Sequence, residues 1–171
     1  MDNKKSYNFK RGARKEKSEF DQKVLDIRRV TRVVAGGKRF RFRATVILGD
    51  HKGRVGVGID KGADTSEAIE KASRNAKKNL VSVPIKNNTI PHEIIGKFSS
   101  ARILLKPAGE GRGIVAGGPV RAVVGLAGIT NIISKILGTT TTKLNNARAT
   151  VEALKKLKNQ KSNVKIRDKN S

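Results

Sequence analysis

The sequence predicts an α+β fold arranged as two small α/β domains, and three observations predict it. Apolar side chains alternate with period two between Val24 and Ile59. Helical spacing follows over residues 64–80 and again over 144–157, and the composition turns polar between Pro84 and Pro91. At 171 residues and 36% apolar content, the chain suffices for one compact unit or two small ones with thin cores. The expected division is a basic tail over residues 1–20, an N-terminal domain over 21–86, a C-terminal domain over 87–158 and a second basic tail over 159–171. Both tails are polar and charged, with too little apolar surface to offset the entropy of ordering.

The first domain reads as a three-stranded antiparallel meander followed by a helix. Val30, Arg32 and Val34 share one face of the first strand, with Thr31 and Val33 on the other. "AGGK" then supplies a glycine-containing tight turn. The second strand alternates from Phe40 to Leu48, "GDHKG" turns again, and Val55, Val57 and Ile59 mark the third. In "ADTSEAIEKASRNAKKNL", Asp64 is placed as an N-cap, with Glu67 three residues on as in a capping box. Ala68, Ile69, Ala72, Ala76 and Leu80 fall on one arc of this helix, opposite Lys71, Arg74, Lys77 and Lys78.

In the second domain "RILLKPA" reads as a strand. "GEGRGIVAGGPVRAVVGLAG" surrounds a short apolar segment with glycines, and Pro119 suits the first turn of a helix from Val120 to Ala127. "ITNIISKILG" fits strand or helix equally. Leu144, Ala147, Val151, Leu154 and Leu157 are spaced for a last amphipathic helix.

Alternation also sorts the second strand's side chains by face. Phe40, Phe42, Val46 and Leu48 are expected to pack beneath the helix, which leaves Arg39, Arg41 and Arg43 pointing away as a cationic ridge. Lys38 at the hairpin tip and Lys52, Arg54 and Lys61 near the third strand extend it. Thirty-eight Lys and Arg against fourteen Asp and Glu give a formal charge of +24, which calls for an anionic partner, nucleic acid or a membrane surface. No stretch is apolar and long enough to span a bilayer, and nucleic acid is the favoured partner. Recognition is expected to be of shape and backbone: aromatics are 4% of the chain, tryptophan is absent, and Phe40 and Phe42 are assigned to the core, so stacking platforms for bases are poorly supplied. "GKRFRFRA" has the wrong glycine–aromatic order for an RNP motif, and a sheet followed by one helix is closer to a double-stranded RNA-binding module.

Catalysis is not expected. Cysteine is absent, and His51 and His92 lie far apart in turn-like segments, read as solvated loop residues without a metal. "GEGRGIVAGG" is not followed by G-K-[ST] and misses the G-x-G-x-x-G spacing. The acids of the second half are too scattered to form a catalytic pair. No cofactor is implied. The opening segment shows no signal-peptide pattern, so a cytoplasmic chain is expected.

Three segments, "RVTRVVAGGKRFRFRATVILGDHKGRVGVGIDKG", "KPAGEGRGIVAGGPVRAVVGLAGI" and "NNARATVEALKKL", closely resemble the family of the fifth protein of the small ribosomal subunit, bacterial type. The resemblance runs from Val24 to Leu157; the segment after Leu157 departs from the family in being short and lysine-rich. It implies a double-stranded RNA-binding-like first domain lacking the leading helix, and a second domain of one sheet with two helices, in which "TNIISKIL" is a strand. It further implies a ribosomal protein that binds small-subunit rRNA, supports subunit assembly and translational accuracy, and lies near the path of incoming messenger RNA. The rRNA contacts so implied or inferred are Arg32, Lys38, Arg39, Arg41, Arg43, Lys52, Arg54, Lys61, Arg74, Lys77, Lys78, Lys106 and Arg112. By the same resemblance the loop Ala35, Gly36, Gly37 and Lys38 lies near the subunit head and the spectinomycin site. Gly113 and Arg121 match the region meeting the fourth small-subunit protein, and the eighth is the other expected neighbour. The alternative reading is a free duplex-RNA-binding chaperone or regulator.

Overall fold

The structure is a computed structural model that describes residues 19–157. The two tails, apart from Glu19 and Phe20, lie outside the described residues. Strands β1 (Asp21–Val34), β2 (Gly37–Gly49) and β3 (Arg54–Gly62) form the expected meander, and helix α1 (Thr65–Lys78) follows. A fourth strand, β4 (Leu80–Ser82), pairs with β3 and completes an antiparallel sheet of order β1-β2-β3-β4. Leu80 therefore belongs to the sheet and not to the apolar arc of the helix.

Helix α1 covers one face of this sheet. Ala68 and Ala72 are fully buried against Ala44 and Val46, with Phe42 and Ile69 at the margin, and Ala76 is fully buried one turn further on. The approach is close because β3 carries Gly56, Gly58 and Gly62 on the face toward the helix: a Cβ on Gly58 would collide with the backbone of Ala72 and Ala76. At the helix start, Asp64 makes no side-chain cap. The Glu67 carboxylate instead accepts the Ala63 N–H at 2.6 Å and pairs with Lys71 Nζ at 2.6 Å. The Lys71 hydrogen bond, then the backbone one, lowers the Glu67 pKa.

The second sheet has the order β5-β6-β8-β7, from β5 (Ile94–Phe98), β6 (Ala101–Pro107), β7 (Ile114–Val115) and β8 (Ile132–Ile136). Only β7 runs parallel to its neighbour. Helix α2 (Gly118–Ala127) begins with proline in its first turn as expected, and α3 (Lys143–Lys155) is the last helix. "ITNIISKILG" resolves as strand β8.

The two units share one core. Ile47, Val55 and Val57 of the first sheet, and Val83 just after it, are buried together with Ile103, Leu105, Val120, Val123 and Leu154 of the second unit. The segment between the prolines is also packed: Ile90 is buried, and the Asn88 carbonyl accepts the N–H groups of Thr130 and Asn131, each at 3.1 Å. Most of the contact falls on α2. The His51 N–H donates to the Leu126 carbonyl at 3.0 Å and the Gly53 N–H to that of Ala127 at 2.9 Å. The His51 ring spans from the Gly125 carbonyl (Nδ1, 2.9 Å) to the Asp21 carboxylate (Nε2, 3.1 Å). His51 is thus a clasp between the β2–β3 turn and the end of α2, not a solvated loop residue.

Candidate nucleic-acid interface

The register of the hairpin decides where the cations go. A two-residue turn at Ala35 and Gly36, with Gly37 at φ +143, pairs Val34 with Gly37. Arg32 then faces Arg39, Val30 faces Arg41, and Arg28 faces Arg43, which is in turn level with Lys61 of β3. Directly paired residues share a face of the sheet. Arg28, Arg32, Arg39, Arg41, Arg43 and Lys61 therefore form one cationic strip, with the three arginines of β2 about 6.8 Å apart in succession. Arg28 is held by Asp26 at 2.7 Å. The other five have no acidic partner among the described residues. A shallow concavity of about 440 Å³ runs along the strip between Arg32, Arg39, Arg41 and Lys61.

This strip occupies only half of its face. β3 pairs with β2 no further than Phe42↔Gly62, so the distal hairpin is a two-stranded ribbon that projects past the sheet. Toward the other end the same face carries Ile47, which is fully buried against the second unit. The ridge is therefore a property of the ribbon and its base, not of the whole sheet. The ribbon also overturns the expectation for Phe40, which lies one pleat beyond the reach of α1 and is 50% exposed. Phe42 packs against the edge of the α1 cluster as expected.

Lys52, in the β2–β3 turn, and Arg54, the first residue of β3, sit at the opposite end of the strands. Arg54 is already neutralised: its Nε donates to Asp50 at 2.6 Å, its Nη2 to Glu19 at 2.7 Å, and its guanidinium lies 5.0 Å from the Phe20 ring centroid. The Asp50 side chain is 2% exposed and also accepts the N–H groups of Lys52 at 2.8 Å and Arg54 at 2.9 Å. Burial acts to raise the pKa of Asp50, but the Arg54 guanidinium and these two N–H groups outweigh it and bring the value down to about 2. The carboxylates in turn raise the pKa of Arg54, the Asp50 hydrogen bond leading. This group is a structural staple.

The remaining candidates are dispersed. Arg74, Lys77 and Lys78 are exposed on α1, on the far side of the sheet from the strip. Lys106 lies on β6, 3.3 Å from Glu93, and Arg112 is exposed in the loop before β7. Gly113 and Arg121 do come together: the Gly113 N–H donates to Asn131 Oδ1 at 3.0 Å, and Arg121 Nη2 donates to the Ile114 carbonyl at 2.9 Å. Both hold β7 in place, and Gly113 needs its freedom at φ +71. Ala35, Gly36, Gly37 and Lys38 are all exposed at the ribbon tip.

Arg28 and Arg29 were absent from the expected contacts, although the signal was available: once "AGG" is read as a two-residue turn, residues whose numbers sum to 71 face each other, which places Arg28 beside Arg43.

Among the described residues no cluster of three or more His, Asp or Glu is placed to hold a metal. The buried acid Asp50 is committed to the staple. Fold and surface together define a scaffold of two fused α/β units whose specialised surface is a projecting cationic ribbon. Residues 20–84 match the family profile described as "Ribosomal protein S5, N-terminal domain", and residues 96–167 match "Ribosomal protein S5, C-terminal domain". Over 150 residues the chain is 51% identical to the "Small ribosomal subunit protein uS5" of Thermotoga neapolitana and to that of Thermotoga maritima, covering 88% of this chain and 84% of each relative. The chain belongs to the ribosomal protein S5 family, whose members are structural and not enzymatic.

Proposed function

We propose that this protein is a structural constituent of the small ribosomal subunit in the cytoplasm, bound to small-subunit rRNA through the cationic ribbon. The observation that carries the reading is the strip of Arg32, Arg39, Arg41, Arg43 and Lys61, five cations on one face without an acidic partner among the described residues. Such a strip attracts polyanion, and each neutralised phosphate releases condensed counterions. Its side chains meet the RNA backbone, so shape is read more than sequence.

Family membership supports the finer roles: holding rRNA during subunit assembly, and supporting translational accuracy and the passage of messenger RNA. Under this reading the tip Ala35–Lys38 reaches toward the subunit head and the spectinomycin site. The Gly113–Arg121 side meets the fourth small-subunit protein, and the eighth is a second neighbour. The Arg74, Lys77, Lys78, Lys106 and Arg112 cations lie on other faces and are candidates for separate rRNA contacts.

The test is co-sedimentation with small subunits through a moderate salt wash, followed by competition between small-subunit rRNA and arbitrary duplex RNA. Retention on the particle with preference for rRNA is expected. Recovery only in the soluble fraction, with equal affinity for any duplex, would favour a free RNA chaperone or regulator.

A further inference from the structure

The ribbon carries an exposed aromatic–guanidinium pair on the face turned away from its cationic strip. Phe40 is 50% exposed there, level with Thr31 on the neighbouring strand. The guanidinium of Arg29 lies over its ring, 4.4 Å from the centroid. The contact is diagonal across the ladder, because the direct partner of Arg29 is Phe42. Arg29 is itself exposed and pairs with no acid among the described residues. Val33, 74% exposed, and Lys38 continue the same face to the tip.

An aromatic ring left half in water at this position forgoes burial, whereas threonine would satisfy the strand without that cost. Ring and guanidinium are two flat groups already stacked, and both stack well on nucleobases. Of the neighbours Arg29, Thr31, Val33 and Lys38 only Val33 is apolar, and the two cations suit RNA better than an apolar protein surface. Two paired strands without a third are also thin enough to lie between RNA segments and touch them with both faces.

We propose that Phe40 and Arg29 form a stacking platform for one unpaired RNA base, so that the ribbon holds phosphates with one face and an unstacked base with the other. The proposal rests on the RNA reading above and adds a base contact to it.

The full-length chain is titrated against two RNA hairpins that differ only in a single-nucleotide bulge, the bulged base being 2-aminopurine. The parent is expected to bind the bulged RNA about 5- to 50-fold more tightly than the paired one and to change the 2-aminopurine fluorescence. Phe40→Leu should abolish both the preference and the fluorescence change while binding paired RNA as the parent does. Phe40→Trp should keep both. A Phe40→Leu protein that retains them, or a parent that binds paired RNA without preferring the bulge, overturns the platform and leaves the phosphate-binding strip standing. Failure of the parent to bind either RNA at low salt refutes the RNA reading, and the platform with it.

Discussion

Strands β1 and β2 lead two different lives along one face. At their anchored end the face presents Ile47, sealed by the second unit, and the nearby Arg54 is neutralised by Asp50 and Glu19. At their projecting end the same face presents Arg32, Arg39 and Arg41 with no acid among the described residues to meet them. The change falls where β3 stops pairing, at Phe42↔Gly62. A period-two pattern assigns a side chain to a face, but what that face meets depends on which neighbours reach it.

The contrast can be broken most severely at the anchored end. Ile47→Ala should cost roughly 2–5 kcal/mol of stability, read as a lowered urea midpoint; a midpoint equal to the parent's would mean that the two units do not share a core. Phe42→Ala, at the junction, should cost about 2 kcal/mol, less than full core burial because its ring lies at the edge of the α1 cluster. Urea unfolding that separates this variant from Ile47→Ala by less than the error would erase the gradient along the strand.

At the projecting end the readout changes from stability to affinity. Replacing Arg41 and Arg43 together with alanine should leave the urea midpoint in place and weaken binding to small-subunit rRNA by about tenfold. The slope of log affinity against log salt should flatten by roughly 0.7–0.9 for each lost phosphate contact. An unchanged slope would remove the strip from the interface.

The smallest effect is the acid response of the Asp50 staple. Its pKa of about 2 in the folded chain lies below the ordinary value of 3.8, so the unfolded chain binds the extra proton between these values. The stabilisation is complete above pH 4 and is lost as pH falls toward 2. Discounted for the solvent around Arg54, it amounts to about 1 kcal/mol. Asp50→Asn should flatten stability in that window; an unaltered pH profile would show that Arg54 is held by other means.

Much of this was legible in the chain. Alternation gave the meander, helical spacing gave α1 and α3, and Pro119 marked α2. The strands that escaped are short: β4 has three residues, β7 two, and β5 five with a central glycine. Alternation needs more length than that to show. Phe40 was misassigned because face is a local property, whereas the end of α1 and of β3 is settled by long-range pairing. Asp50, four residues before Arg54, was a visible warning that this arginine is engaged; Glu19, 35 residues away, was not. Ile47 among arginines on one face was the clue that half of that face is buried.

The common core also constrains how the chain comes into being. As it emerges during synthesis, residues 21–86 have every strand of their own sheet in hand, yet Ile47, Val55 and Val57 stay bare until α2 and α3 have been made. A fragment cut at the proline-rich segment would keep that oily patch uncovered and clump. The shared core can therefore close only once the last helix has been made.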